Sequence, residues 1–177
     1  MFVCDCGSNI AGYLEMKELV EYSKTLPNVV FVQENLYTCS EGGINEIKQA
    51  IPKHNLNRVV VASCTPRTHE PLFMSACEEA GLNPYLFEMA NIRDQCSWVH
   101  MRERETGTER AKAQIGMAVA KAAKLRELKR IQLSLSHTAL VIGGGVAGMS
   151  AAMALGNMGY EVNLVEKKDR LGGLLND

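Results

Sequence analysis

Nowhere in the 177-residue chain does an apolar run approach the ~20 residues that a bilayer-spanning helix requires. The opening residues, Met1-Phe2-Val3-Cys4-Asp5-Cys6, turn polar too early to form the apolar region of a secretory signal, so a cytoplasmic setting is expected. Net charge is only −1 with 22% charged residues, which excludes the strong basic imbalance of a nucleic-acid-binding protein or a basic membrane-binding face. Low-complexity tracts are missing as well. The six cysteines follow neither a ferredoxin run nor a zinc-finger spacing. In a reducing compartment such cysteines are expected to be metal ligands or redox groups rather than structural disulfides.

What the chain does have is a βα rhythm. Strands are expected at Phe2-Val3-Cys4, Val29 to Gln33, Arg58 to Ser63 and Tyr85 to Glu88. Helices are expected from about Met16 to Leu26, Gly43 to His54 and Glu70 to Ala80. The alternation predicts an α/β fold, a mostly parallel sheet with helices on both faces. A long helix from about Thr106 to Lys129 follows, with Ala111, Ile115, Ala118, Val119, Ala122, Leu125 and Leu128 at helical spacing. Arg130 to His137 reads as a linker or edge strand. Three parts result: a cysteine-rich α/β domain at 1–105, a connecting helix and linker at 106–137, and a partial nucleotide-binding unit at 138–177.

On this scheme Cys4, Cys6, Cys39, Cys64 and Cys96 all lie at or beyond the carboxyl ends of strands, where segments distant in sequence converge on one crevice. Five such thiols exceed the need of one nucleophile and suit a soft metal centre, iron–sulfur or zinc, with free structural or reactive thiols as the alternative. Cys77 falls mid-helix and is expected to be a buried, inert thiol. Beside Cys64, Arg67 and His69 could stabilise a thiolate. The same stretch also reads as a helix start, with Thr65 or Thr68 as N-cap and Pro71 in the first turn. Trp98 either fills a core or interface, or shields a metal cluster from water.

Thr138 to Gly173 carries the most specific pattern. A β run to Ile142 leads into Gly143, Gly145 and Gly148, a G-x-G-x-x-G motif at the start of an Ala/Met-rich helix. Gly143 permits a tight turn, Gly145 lets a pyrophosphate approach the backbone, and Gly148 allows close helix–strand contact. Val146 and Ala147 lie in the helix start, whose N–H groups favour anions. Tyr160 to Val165 is a second β run ending at Glu166, placed to accept ribose hydroxyls and to repel a 2′-phosphate, with Lys167 beside it. The trailing Leu171-Gly172-Gly173 resembles the pattern of flavoproteins of the thioredoxin reductase class and favours FAD over NAD. Too few residues follow Thr138 to complete such a domain, so the chain is expected to be a truncated or split product.

Longer segments carry a further resemblance. Val3-Cys4-Asp5-Cys6-Gly7-Ser8-Asn9-Ile10, Leu36-Tyr37-Thr38-Cys39-Ser40, VVVASCTPRTHEPLF and GLNPYLFEMANIRDQCSWVH, followed by the flavin fingerprint, are similar to the N-terminal part of the heterodisulfide reductase A-subunit family. That resemblance implies a Rossmann-like FAD-binding domain opening at 138 and an N-terminal [4Fe–4S] cluster held by cysteines among Cys4, Cys6, Cys39, Cys64 and Cys96. It implies electron bifurcation from FAD to ferredoxin and to the CoM-S-S-CoB heterodisulfide. The implied partners are B- and C-type subunits, a hydrogenase or formate dehydrogenase donor, ferredoxin, and a polypeptide completing the flavin domain. Disulfide chemistry in that family belongs to a different subunit of the complex, so no catalytic residue is expected here. Two rival readings are a structural zinc module and a thiol enzyme using Cys64.

Overall fold

Valine-rich and covered on both sides, the central strands give the first unit its shape. The computed structural model describes Met1 to Asn176, and the chain divides into two units, one of Met1–Lys129 and one beginning at Arg130. In the first, β1 (Phe2–Cys4), β2 (Gln33–Asn35), β3 (Val59–Ser63) and β4 (Phe87–Asn91) form a parallel sheet in the order β2-β1-β3-β4. Every residue of β1 and β3 is buried, as parallel strands between two helical layers require.

Alternation along the strands feeds two separate cores. Val3, Val60, Ala62 and Ala90 pack with α1 (Met16–Thr25) and α4 (Arg104–Ala122), centred on Leu19 and Ile115. Phe2, Val59, Val61, Phe87 and Met89 pack with α2 (Glu41–Lys53) and α3 (Pro66–Glu79), centred on Ile47 and Phe73.

The sheet order has a consequence for function. Because β2 lies on one side of β1 and β3 on the other, the chains leaving β1 and β3 diverge. Their divergence opens a crevice at the carboxyl edge, the place where open α/β sheets bind ligands.

Several boundaries depart from the sequence reading. The ladder of β2 begins at Gln33 rather than Val29, because Val29, Phe31 and Val32 pack their side chains against the core without joining the sheet. Strand β4 runs to Asn91 instead of ending at Glu88, after a 3-10 turn at Pro84–Leu86 capped by Asn83. Helix α3 starts at Pro66, four residues ahead of Glu70, because Thr65 is its N-cap and proline fits the first turn. The helix expected over 106–129 ends at Ala122, and it packs on the sheet as core: Ala111, Ala118 and Ala122 bring its backbone close. The 106–137 segment is thus shared between the two units. Leu128, expected on the apolar face, is exposed.

The second unit contains β5 (Thr138–Ile142), α5 (Val146–Asn157) and β6 (Glu161–Val165), with β5 and β6 paired in parallel from Thr138↔Glu161 to Ile142↔Val165. Arg130 to His137 forms no strand. The architecture is α/β throughout, a four-stranded parallel sheet followed by the opening of a Rossmann-like unit. Among the described residues no helix is long and apolar enough to cross a membrane.

Candidate cysteine centre and nucleotide cradle

Each thiol of the crevice is positioned by the end of a secondary-structure element. Cys4 ends β1, and Cys6 follows in a left-handed conformation (φ 47°) continued by Gly7 (φ 54°), which turns the chain sharply back. A non-glycine residue there is strained and persists only where its surroundings hold it. The hold comes from the segment after β2: Asp5 N donates to Asn35 O (2.9 Å) and Gly7 N to Leu36 O (3.3 Å).

Cys39 immediately precedes Ser40, the N-cap of α2, whose hydroxyl accepts from Gly43 N at 3.2 Å. A side chain on Gly43 would collide with the Thr38 backbone, so glycine lets the helix start this close to the crevice. Cys64 immediately precedes Thr65, the N-cap of α3, whose hydroxyl accepts from Arg67 N at 3.4 Å. Two helix N-termini therefore begin beside two thiols, and both dipoles favour negative charge on sulfur.

These four thiols share one electrostatic neighbourhood. Burial pushes the Cys39 thiol up, and the nearby Cys4 and Cys6 sulfurs push it further. Burial likewise raises Cys64, opposed by the Arg93 charge and by Ser63, with Cys6 and Cys39 adding to the rise. Backbone and side-chain donors already point at sulfur: Thr38 N donates to Cys4 Sγ at 3.4 Å and Arg93 Nη1 to Cys6 Sγ at 3.6 Å. Between Cys4 and Cys6, burial and then the Glu34 carboxylate raise Asp5 to about 6.

Cys96 and Cys77 stand apart. Cys96 is fully buried in the core beneath α1 and α4, where its thiol faces Asn91 O at 4.0 Å. Burial raises it to about 11, and the charge that opposes this comes from Arg110, not from the crevice. Cys77, as expected, is buried mid-helix, its thiol pushed up to about 12 by burial alone. All six cysteines are free.

The crevice suits a soft, negatively charged group. Two buried donors without a hydrogen-bond partner, Thr38 Oγ1 next to Cys39 and Arg93 Nε, are of the kind that such a group satisfies. Arg93 Nε and Asp94 Oδ2 are 3.5 Å apart, close enough for ionic attraction but outside hydrogen-bond geometry. Buried donors of this kind are costly unless something satisfies them. Among the described residues no group of three His, Cys, Asp or Glu side chains is spaced to hold a single metal ion.

Arg93 is the participant that sequence reasoning missed. It opens a π-helical turn, Arg93–Ser97, directly after β4, and Trp98 N donates to its carbonyl at 3.0 Å. The guanidinium lies over the Trp98 ring, 4.5 Å from its centre, and the tryptophan is 42% exposed, so it does not fill the core. A cation one turn past a strand end was the available signal. Near Cys64, where Arg67 and His69 were expected to tune the thiol, the charge that acts on it is that of Arg93.

In the second unit, the glycine loop forms an open cradle. Gly143 adopts φ +105° at the turn, a side chain on Gly145 would meet only open space, and one on Gly148 would collide with the Gly143 carbonyl. The turn at Gly143 and the close contact at Gly148 are as expected, and the space beside Gly145 leaves its backbone open. Val146 and Ala147 form the exposed first turn of α5. Glu166 follows β6 and turns toward the loop: Gly144 N donates to its Oε2 at 2.6 Å and Lys168 N to its Oε1 at 2.9 Å. Those N–H groups, that of Lys168 first, hold its carboxyl below the usual range, and Lys167 beside it adds to the effect. Gly172 N donates back to Gly144 O at 2.8 Å, and Gly173 follows with φ +55°, closing the loop's outer rim.

Comparison with known proteins bears on both units. Residues 141–177 match the NAD(P)-binding Rossmann-like domain. Over 98% of its length the chain is 54% identical to a CoB–CoM heterodisulfide reductase iron-sulfur A-subunit, the second of two in Methanopyrus kandleri, and covers 26% of that protein. It is 53% identical to a heterodisulfide reductase A-subunit-like protein of Archaeoglobus profundus, covering 25% of it. It is 49% identical to the A-subunit of the H2:CoB-CoM heterodisulfide,ferredoxin reductase of Methanothermobacter thermautotrophicus, covering 26%. The chain thus spans about a quarter of the length of these relatives, and over nearly all of its own length it is homologous to the N-terminal portion of the heterodisulfide reductase A-subunit.

Proposed function

We propose that this chain provides an electron-transfer centre and the opening of a flavin site to a heterodisulfide reductase-type oxidoreductase. The observation that carries the reading is that Cys4, Cys6, Cys39 and Cys64, at or beyond strand ends, act on one another electrostatically, with N–H donors aimed at two of the sulfurs. In this reading those four thiolates hold a [4Fe–4S] cluster, and Cys96 is structural rather than a ligand. A bound cluster supplies one-electron storage at a potential set by its hydrogen bonds and exposure. The chain's own residues bury the sulfurs, orient them from two helix N-termini and place Arg93 against the excess negative charge.

For the second unit the reading is that Gly143, Gly145 and Gly148, with the α5 N–H groups, receive the FAD pyrophosphate, while Glu166 accepts the ribose hydroxyls. Gly172 and Gly173 keep the loop's rim free of side chains. FAD supplies the two-electron to one-electron exchange on which bifurcation between ferredoxin and the CoM-S-S-CoB heterodisulfide depends. Further polypeptide completing the flavin domain, B- and C-type subunits, ferredoxin and a hydrogenase or formate dehydrogenase donor are the partners that this role requires.

Iron and sulfide analysis of anaerobically purified protein, with electron paramagnetic resonance after reduction, tests the cluster. Wild type and the Cys77→Ala and Cys96→Ala variants are expected to carry equal iron, and Cys64→Ala and Cys39→Ala to lose it. Zinc in place of iron, or iron lost only from Cys96→Ala, contradicts the assignment. FAD retention by the 177-residue chain is expected to be weak and to recover with the completing polypeptide.

A further inference from the structure

Arg93 reaches three of the four crevice thiols with its charge, yet it is not itself anchored to any of them by a strong bond. Its Nη1 lies 3.6 Å from Cys6 Sγ, and its charge acts on Cys64 and Cys39. Other contacts fix the arginine. The π-helical turn that carries it is tied down by Ser97, fully buried, whose hydroxyl donates to Asn9 O (2.7 Å) in the loop after Cys6 and approaches Arg93 O (3.1 Å). Asp94 N donates to Asn91 Oδ1 at 2.9 Å, and the Asp94 carboxylate flanks the guanidinium edge. The partly exposed indole of Trp98 lies against the guanidinium. A stacked, partly desolvated guanidinium is held more firmly than an exposed one and loses less freedom for each hydrogen bond that it makes.

We infer that Arg93 is a positioning residue that raises the reduction potential of the cysteine centre through Cys6, and that Trp98 acts only by holding Arg93 in place. The inference rests on the reading of that centre as an iron–sulfur site. A cation and a hydrogen bond at a ligand sulfur stabilise the more negative, reduced state, so removing them favours the oxidised state. No ligand is removed by changing Arg93, so loading and potential separate.

The test is a potentiometric titration of the reconstituted 177-residue chain, followed by electron paramagnetic resonance, with iron and sulfide measured on each sample. Arg93→Met is expected to keep the wild-type iron content and to shift the one-electron equilibrium about tenfold toward the oxidised form, about 59 mV. Arg93→Lys, which keeps charge but loses the planar fork, shifts less in the same direction, and so does Trp98→Leu. Decisively, Trp98→Leu adds nothing in the Arg93→Met background, whereas a tryptophan that shielded the centre from water would act additively. Should Arg93→Met fail to load, Arg93→Lys and Trp98→Leu carry the test, and unmoved potentials in both overturn the inference. A fully loaded Arg93→Met at the wild-type potential overturns it as well. A wild-type chain that binds zinc, or no metal, overturns the underlying reading and the inference together; a loaded wild type with insensitive variants overturns the inference alone.

Discussion

The two units of this chain are both α/β, yet they obtain their order in different ways. In the first, two apolar cores sandwich a four-stranded sheet, and Phe2, Phe73, Leu19, Ile47 and Ile115 are wholly buried. In the second, among the described residues only Gly144 and Gly172 are buried, while Ile142 is 80% and Met153 71% exposed. Its strand–glycine–helix–strand geometry comes from local chemistry: backbone pairing, the steric demand at Gly148, and the Glu166 carboxylate gripping the loop. The difference teaches that local chemistry can set a loop's geometry where burial is slight, whereas the crevice of the first unit rests on two packed cores.

Five measurements sharpen or break that contrast. The largest effect is expected from Phe73→Ala, which removes a fully buried ring and should destabilise the first unit by about 3–5 kcal/mol in urea unfolding. Next, native-state hydrogen exchange should protect β3 amides to nearly the global stability, while β5 and β6 amides exchange several kcal/mol more easily; equal protection would dissolve the distinction.

A third measurement uses pH. The unfolded Cys77 thiol titrates near ~8.5, whereas the folded thiol is pushed up to about 12 by burial. The folded state therefore binds the proton more tightly, and the stability that this gives is complete below the unfolded value and lost as pH rises through the folded one. Stability of the first unit should fall by up to ~1.4 kcal/mol per pH unit through that window, less so in Cys77→Ala. The second unit has no cysteine and should lack this component. Ser40→Ala, which removes the α2 cap beside Cys39, should cost ~1 kcal/mol in urea unfolding of the first unit. Smallest of all, Met153→Ala on the exposed face of α5 should change stability by under ~0.5 kcal/mol.

The sequence was most legible where a residue type has a local reason. Alternating strands and helices announced the parallel sheet, and Thr65 announced a helix start, although Pro71, expected in the first turn, lies inside a helix that begins four residues earlier than the apolar pattern places it. The apolar stretch before β2 misled, because burial and ladder pairing are separate events and only pairing defines a strand. Small residues in α4 left little contrast between its faces, so a helix that packs on the sheet read as a connector.

By itself the sequence determined the glycine cradle, the α/β order and the placing of cysteines beyond strand ends, because each depends on neighbours along the chain. Which thiols meet was decided only in three dimensions. Cys96 follows a strand just as Cys64 does, yet the π-helical turn after β4 carries it into the core under α4, and Arg93 takes a place at the crevice instead. A turn of that kind redirects side chains through contacts with Asn9 and Cys6, nearly ninety residues away, and no local pattern records such a contact.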